Sequence, residues 1–415
     1  MPRWDIFCRV VDNFGDIGTC WRLARQLAHE HGADVRLWVD RLESFAGLCP
    51  SISTRAAIQR VGAIEVRQWP SDFPEVTVAD VVIEAFACEI PANYLAAMAR
   101  RSAAPAWINL EYLSAEAWVE DCHLLTSPHS VLPLTVRDCS AGGTASGGLH
   151  PPLAPAVLTK HFFFPGFTSQ TGGLLRERDL LTTRAAFGPA ETADFKQGLG
   201  IPVAVGSGLN EVHTAPRDEL LISLFCYPNP ALPELLQCWA DGPRAVRVLA
   251  TPGAATEQVA AWFEEPLVMG KPLSRNSLTV QALPFLSQPD YDRLLWACDV
   301  NFVRGEDSFV RAQWAQRPFV WQIYPQSEGT HLVKLEAFLS RYLDQFQNPA
   351  AVRRFWLAWN GAGDTAEDTA GDTAATWRNF LANCPAIQRH AEVWACHLDR
   401  TENLANNLSR FVQER

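Results

Sequence analysis

One short turn in the second half of the chain concentrates residues that can carry out acid–base and phosphate chemistry. The segment DVNFVRGEDSFVRAQWAQ begins with an apolar run that predicts a buried strand and continues, from Ser308, with a helical pattern. Between the two lie a cation, two carboxylates and a hydroxyl: Arg304, Gly305, Glu306, Asp307 and Ser308. A plain solubilising loop would not need this density of functional groups, so we interpret the turn as part of a binding site.

The composition of this turn favours a nucleotide-sugar site. Free backbone N–H groups at the start of a helix can bind an anion such as a diphosphate, and Arg304 adds a fixed positive charge. Glu306 and Asp307 would repel a phosphate unless they point toward sugar hydroxyls or a cationic acceptor. The alternative is that an arginine–carboxylate salt bridge merely stabilises the turn.

A second pair of carboxylates follows the first predicted strand, in VVDNFGDIG. Gly15 and Gly18 permit a tight turn into the next helix, but the G-x-G-x-x-G fingerprint is absent, which argues against a dinucleotide oxidoreductase. Asp16 can simply cap the helix, and Asp12 can simply close the turn. As a pair in a cleft, however, the two carboxylates can accept a proton or hold a cationic substrate.

Two further loops carry aromatic and amide side chains at predicted strand ends. The segment LFCYPN offers Phe225 and Tyr227, and LPFLSQ offers Phe285 and Gln288. An aromatic ring can stack on a base, a tyrosine hydroxyl can reach a phosphate, and a glutamine can bind polar base edges. Each residue alone is typical of a core or a turn, whereas four such loops at equivalent strand ends favour a site.

The elements that must position these loops alternate between apolar runs and amphipathic helical patterns, which predicts βαβ units and mostly parallel sheets. The alternation occurs twice, so we predict two α/β halves with a cleft between them and ligands beyond the carboxyl ends of the strands. The predicted domains are residues 1–195, residues 196–376, and terminal helices over residues 377–415. The Ser/Gly-rich segment 139–155 and the acidic segment 361–376 are predicted surface loops. The predicted strands are Ile6 to Val11, Val35 to Val39, Ile64 to Gln68, Val78 to Glu84, Ala106 to Leu110, Leu220 to Phe225, Ala245 to Ala250, Ser277 to Leu283, Val300 to Val303 and Phe319 to Ile323.

Composition limits the class of protein. The 415 residues are 48% hydrophobic and 20% charged, as expected for two globular domains, and the net charge of −11 argues against broad nucleic-acid binding. The eleven cysteines form no C-x-x-C pair, so we expect neither a zinc site nor a disulfide framework. No signal peptide and no apolar stretch of about 18 residues is present, so we expect no membrane association and a cytoplasmic location.

Three motifs resemble the EarP family of protein-arginine rhamnosyltransferases: VVDNFGDIG followed by WRLARQLA, then LFCYPN, then NFVRGEDSFVRAQWAQRPFVWQIYPQ. The resemblance covers most of the chain and implies a GT-B fold, with two Rossmann-like domains facing a central cleft and C-terminal helices. It implies dTDP-β-L-rhamnose as donor and an arginine of translation elongation factor P as acceptor. It also implies inversion at the anomeric carbon, with no metal and no other cofactor. Only the segment 139–155 has no recognisable match.

The resemblance also implies roles for individual residues. Asp16 would be the general base, Asp12 an assisting carboxylate and Glu306 essential for catalysis. The loop after the first strand would line the rhamnose, and the aromatic residues would lie near the nucleotide. The residues that would contact the substrates are Asn13, Phe14, Gly15, Asp16, Phe225, Tyr227, Phe285, Gln288, Arg304, Gly305, Glu306, Asp307 and Ser308.

Two other functions keep the same fold. One is a nucleotide-sugar transferase whose acceptor is a small molecule or a lipid-linked glycan. The other is a non-catalytic nucleotide-sugar sensor or scaffold, which would still bind the donor after Asp16→Asn and would turn over no acceptor.

Overall fold

Two sheets, each covered by helices, form in this computed structural model, which describes residues 2–12, 14–131, 156–202, 219–326, 329–362 and 372–415. The first sheet has the strand order β3-β4-β2-β1-β5-β6-β8-β7. Its inner pairs are parallel, whereas β3 and β7 pair antiparallel at the two edges. The strands are β1 (Arg3–Cys8), β2 (Asp34–Val39), β3 (Ile58–Val61), β4 (Ile64–Gln68), β5 (Val81–Ala85), β6 (Ala106–Leu110), β7 (Thr126–Val131) and β8 (Ala156–Phe163).

Among the described residues, four helices follow strands of this first sheet: α1 (Gly15–His31), α2 (Leu42–Leu48), α3 (Ala92–Ala99) and α4 (Trp118–Cys122). The longest, α1, ends at Gly32, whose φ of 64° is the left-handed conformation that glycine adopts at little cost. Its apolar side packs on the inner strands in a core that includes Ile6, Leu23 and Leu37. This packing fixes the start of α1 directly beyond the carboxyl end of β1.

The second sheet has the order β11-β12-β10-β9-β13-β14, and among its described strand pairs only β11/β12 is antiparallel. The strands are β9 (Leu220–Leu224), β10 (Val246–Ala250), β11 (Leu273–Arg275), β12 (Leu278–Ala282), β13 (Val300–Arg304) and β14 (Phe319–Gln322). The helices that follow its strands are α7 (Leu232–Asp241), α8 (Ala254–Phe263), α9 (Gln288–Ala297), α10 (Asp307–Trp314) and α11 (Thr330–Tyr342). Because β9, β10 and β13 are buried along nearly all of their length, they consist largely of apolar residues.

The two domains are joined by α5 (Leu180–Ala186) and α6 (Pro189–Gly198), and by the C-terminal helices. Of the latter, α12 (Pro349–Trp359), α13 (Thr373–Ala382) and α14 (Cys384–Leu398) contribute to the core of the second domain. The last helix, α15 (Leu404–Gln413), instead packs against α1 in the first domain. Three apolar residues that precede the predicted boundary at residue 195 pack in the core of the second domain: Phe167, Leu174 and Leu180. The exact domain limits stay a prediction.

Two mostly parallel sheets whose strand ends face each other form the GT-B fold, so the fold predicted from the sequence is confirmed. The loops after β1, β5 and β6 come from one domain, and the loops after β9, β12 and β13 come from the other. Within the described residues, no helix is long and apolar enough to cross a membrane. The predicted loop at 139–155 and most of the one at 361–376 lie outside the described residues.

Candidate active site

Two pockets meet in the cleft between the domains. The Phe285 pocket is open to solvent, has a volume of about 680 Å³ that includes its open mouth, and is lined by Phe14, Phe225, Phe285, Gln288, Arg304, Asp307 and Ser308, among others. The Tyr112 pocket is also open, has a volume of about 910 Å³ that includes its open mouth, and is lined by Asp16, Phe86, Tyr112, Gly305, Glu306, Tyr324 and Lys334, among others. Asp12 and Gly15 line both pockets, so the loop after β1 forms their junction. Two ligands bound side by side would meet at this point.

Asp16 lies in the first turn of α1 and is 2% exposed. Its Oδ2 accepts hydrogen bonds from the backbone N–H groups of Val11 and Asp12, both at 2.8 Å. Its Oδ1 accepts a hydrogen bond of 3.2 Å from the Tyr112 hydroxyl. The side chain thus does more than cap a helix, because one oxygen is fixed by the backbone and the other lies toward the Tyr112 pocket.

Asp12 connects the two domains. Its Oδ2 accepts a 2.5 Å hydrogen bond from the hydroxyl of Tyr227, which follows β9 in the second domain. Burial raises the pKa of Asp12 above its ordinary value, although the Tyr227 hydroxyl and the Arg304 charge oppose that increase. A Cβ added to Gly305 would lie 2.7 Å from the same Asp12 oxygen, and Gly305 has a φ of 59°. Glycine is therefore needed at this turn both for its backbone conformation and for the close approach of the first domain.

Glu306 approaches the junction from the opposite domain. Its Oε2 accepts a hydrogen bond of 2.8 Å from the backbone N–H of Leu113, which follows β6. Burial raises the pKa of Glu306 to about 8, the Leu113 N–H lowers it, and the carboxylates of Asp16 and Asp307 raise it further. This raised pKa favours the protonated form of Glu306 near neutral pH. A cation placed beside it would favour the charged form.

Arg304 makes no ion pair with Glu306 or Asp307 within the described part of the chain. Its guanidinium lies over the rings of Phe225 and Tyr227, with centroid distances of 4.4 and 4.3 Å. The turn is closed instead by Ser308, whose hydroxyl accepts from the backbone N–H of Arg304 at 3.0 Å and donates to the Arg304 carbonyl. The salt-bridge alternative for this turn is therefore wrong, and the Arg304 charge is available to a ligand in the Phe285 pocket.

The remaining predicted residues of the second domain surround the Phe285 pocket. Phe285 is 41% exposed and meets Phe14 of the first domain edge to face at 4.9 Å. Gln288 is 4% exposed, and its Nε2 donates to the carbonyl of Gly18 at 2.9 Å. Its Oε1 has no hydrogen-bond partner among the described residues and can accept a hydrogen bond from a ligand N–H or O–H group. Tyr227 lies between the pockets and bonds to Asp12 rather than lining the Phe285 pocket.

Asp307 lines the Phe285 pocket but is tied to an arginine of the other domain. Its Oδ1 accepts a hydrogen bond of 2.7 Å from Nε of Arg22, on α1, and Arg22 is 2% exposed. Arg22 also pairs with Asp292 of α9 at 3.1 Å. Asp307 thus helps to hold the domains together at the edge of the pocket.

Asn13, the remaining predicted contact, lies outside the described residues. Within the described ranges, no group of three or more His, Cys, Asp or Glu side chains could hold a metal ion. The predicted residues that the structure does describe all lie at the junction or beside it, on loops from both domains.

The residues at the site that were not predicted from the sequence include Arg22, Phe86, Tyr112, Tyr324 and Lys334. Phe86 and Tyr112 follow β5 and β6, so their position at strand ends was the available signal. Arg22 lies in the middle of an amphipathic helix, where an arginine is normally solvent-exposed, and no local pattern marks it as buried.

The arrangement can bind an anionic, base-containing ligand in one pocket and a cationic group in the other. Arg304 and the start of α10 supply positive potential to the Phe285 pocket, and Phe225 and Phe285 supply apolar rings. Asp16 and Glu306 supply two carboxylates to the Tyr112 pocket. Group transfer between two such ligands would take place beside Asp12.

Comparison with known proteins agrees with this geometry. The chain is 45% identical to a protein-arginine rhamnosyltransferase of Pseudomonas putida over 99% of this chain and 98% of that protein. It is 44% identical to the protein-arginine rhamnosyltransferase of Pseudomonas aeruginosa, with both chains covered completely. A solved structure reported as the structural basis for EarP-mediated arginine glycosylation of translation elongation factor EF-P is 33% identical, covers 100% of this chain and 99% of its own, and superposes with a TM-score of 0.64. The family model for the EF-P rhamnosyltransferase EarP matches residues 4–413, and the chain therefore belongs to the EarP family of glycosyltransferases.

Proposed function

We propose that this protein transfers rhamnose from dTDP-β-L-rhamnose to the side chain of one arginine of elongation factor P, with inversion at the anomeric carbon. One observation carries the proposal: two pockets of different chemistry meet at Asp12, with carboxylates from opposite domains beside the junction. Membership of the EarP family supports both the sugar and the acceptor.

The donor would occupy the Phe285 pocket. Thymine would lie among Phe225, Phe285 and Gln288, whose unpaired Oε1 can accept a hydrogen bond from a base N–H. The diphosphate would bind Arg304 and the N–H groups at the start of α10, which offset its charge as the bond to the sugar breaks. We propose that these protein groups suffice without a metal ion. Rhamnose would extend toward Gly15 and Asp12.

The acceptor arginine would enter the Tyr112 pocket. A guanidinium is a weak nucleophile because its lone pairs are delocalised and its pKa lies above ~12. Glu306 and Asp16 would hold it beside the anomeric carbon, and Oδ1 of Asp16 would take its proton as the N–C bond forms. The C–O bond to the diphosphate breaks on the opposite face of the sugar, which gives inversion. The proton ends on Asp16, and the electron pair leaves with the diphosphate.

The test is the intact mass of purified elongation factor P after incubation with this protein and dTDP-β-L-rhamnose. We expect a gain of one deoxyhexose on an arginine, and no gain when that arginine is replaced by lysine. Donor binding without transfer would instead favour a small-molecule or glycan acceptor, or a non-catalytic sensor. Failure to bind the donor would contradict the assignment of the Phe285 pocket.

A cytoplasmic location, where translation takes place, belongs to the same proposal.

A further inference from the structure

The segment that follows β6 contacts both carboxylates of the Tyr112 pocket. The Tyr112 hydroxyl donates to Oδ1 of Asp16 at 3.2 Å, and the backbone N–H of Leu113 donates to Oε2 of Glu306 at 2.8 Å. Asp16 belongs to the first domain, and Glu306 belongs to the second. Two consecutive residues therefore set the positions of two acids that come from different domains.

Tyr112 packs against the loop after β5, whose backbone is strained and is fixed by a hydrogen bond to the end of β6. Its ring stacks on Phe86, with centroids 4.3 Å apart and planes at 13°. Phe86 and Ala87 have φ values of 57° and 52°, which non-glycine residues adopt only at a cost. The Phe86 N–H donates to the Leu110 carbonyl at 2.7 Å, so the end of β6 fixes this conformation.

The position of Tyr112 is hard to explain by core packing. The side chain is 40% exposed, and water could satisfy its hydroxyl without any help from Asp16. Phe86, in contrast, packs against the core of the first domain and so anchors the pair. The loop thus presents an exposed aromatic ring to a pocket that also contains Asp16 and Glu306.

The exposed ring of Tyr112 beside the carboxylates of Asp16 and Glu306 suits a planar cation. Guanidinium groups stack on aromatic rings and form hydrogen bonds to carboxylates in the plane of the group. With Asp16 Oδ2 occupied by two backbone N–H groups, Oδ1 is the oxygen left to face a substrate. A hydroxyl bonded to that oxygen restricts the rotation of the carboxylate, which keeps it in one orientation before substrate binds.

We propose that Tyr112 is a positioning and specificity residue for the acceptor: its hydroxyl orients Oδ1 of Asp16, and its ring, supported by Phe86, forms the surface on which the substrate guanidinium lies. This inference rests on the proposed arginine acceptor. It assigns two separable functions to one side chain. The hydroxyl acts on the rate of transfer, and the ring acts on acceptor binding.

Two substitutions separate these functions in steady-state assays with elongation factor P and dTDP-β-L-rhamnose. Tyr112→Phe keeps the ring and removes the hydroxyl, so we expect kcat to fall about 10- to 100-fold while KM for the acceptor changes less than about twofold. Tyr112→Leu also removes the ring, so we expect the acceptor KM to rise by a further factor of about ten. The donor KM and the melting temperature should match those of the wild type in both variants.

Tyr342→Phe is the matched control, because it removes a tyrosine hydroxyl that is buried and has no hydrogen-bond partner among the described residues. It should leave both constants unchanged. A Tyr112→Phe variant with wild-type kcat, or a Tyr112→Leu variant with wild-type acceptor KM, would overturn the inference while the proposed function stands. A wild-type protein that modifies no elongation factor P would overturn both.

Discussion

Asp16 is the residue whose role can be tested most directly, because an amide can replace its carboxylate without a change of shape. The Asn oxygen can still accept from the N–H groups of Val11 and Asp12, so the loop should keep its conformation. The amide cannot take a proton from the acceptor. We expect Asp16→Asn to lower kcat by a factor of about 10²–10⁴, measured as the rate of deoxyhexose addition to elongation factor P.

Asp40→Asn provides the comparison for that experiment. Asp40 accepts a hydrogen bond of 2.9 Å from the Val10 N–H in the same region, but it lines neither pocket. Its replacement by asparagine should therefore leave kcat unchanged. Donor affinity should be preserved in both variants. Turnover by Asp16→Asn within a few-fold of the wild type would remove Asp16 from the role of base.

Glu306 should give the reaction a characteristic pH dependence. Its pKa is raised to about 8, so the free enzyme holds a neutral Glu306 below that pH and an anionic one above it. Because the anion attracts a guanidinium, kcat/KM for the acceptor should rise by up to about tenfold per pH unit below 8 and level off above it. In Glu306→Gln, kcat/KM should be lower and this rise should be absent.

The matched variant for the pH experiment is Glu191→Gln, which changes an exposed carboxylate at the start of α6. It should reproduce the wild-type profile. A Glu306→Gln enzyme that still gains activity through pH 8 would assign the titration to another group, such as the acceptor itself.

At the scale of elements, the turn between β13 and α10 decides how closely the two domains approach. A Cβ on Gly305 would lie 2.7 Å from Oδ2 of Asp12 and 2.9 Å from the Tyr227 hydroxyl. Gly305→Ala should therefore break the Asp12–Tyr227 hydrogen bond and push the loops apart. We expect a loss of at least about 100-fold in kcat/KM, measured with elongation factor P.

Gly270→Ala separates this clash from the cost of the backbone conformation. Gly270 also has a positive φ, of 76°, but no atom lies within 4 Å of its added Cβ. Gly270→Ala should lose about 1–2 kcal/mol of stability and keep its activity, whereas Gly305→Ala should lose more stability, because the clash adds to the backbone cost, and should also lose activity. Equal losses of activity would mean that the close approach does not matter for catalysis.

The same elements explain what the sequence could reveal of the fold. The buried parallel strands are continuous apolar runs, and Ile64–Gln68 and Ala106–Leu110 were predicted with the bounds observed. The antiparallel edge strands β3, β7 and β11 were missed, and so was β8, an inner strand that pairs parallel with β6. For example, β7 (Thr126–Val131) is mostly exposed and contains a proline, so neither a continuous apolar run nor a regular alternation marks it.

The site was predictable to a similar degree. Loops at the carboxyl ends of parallel strands must lie at one edge of a sheet, so the turns around Asp16 and Glu306 could be identified. Pairing across the cleft could not be identified, because Arg22 and Asp307 are 285 positions apart. No sequence pattern indicates which side chain of one domain an element of the other will meet.

At the scale of the molecule, a buried ion network joins the domains. Arg22 of α1 pairs with Asp307 at 2.7 Å and Asp292 at 3.1 Å, and Arg311 of α10 pairs with Asp292 and Glu177, both at 2.7 Å. The side chains of both arginines are 2% exposed. Removing one partner from such a network leaves buried charge without compensation, which costs about 3–5 kcal/mol.

Arg22→Met should therefore weaken the contact between the domains more than it weakens either domain. Methionine can fill much of the space of the arginine stem, so both cores should persist, while Asp307 loses its partner beside the Phe285 pocket. We expect two separated unfolding transitions in calorimetry, a larger radius of gyration in solution scattering and a higher donor KM.

Arg293→Met, which removes an exposed pair with Asp290 on α9, should change stability by less than about 0.5 kcal/mol and leave the donor KM unaltered. If Arg22→Met unfolded in the same manner and at the same temperature as the wild type, the contacts at Asp12 and Phe14 would have to hold the domains together without the network.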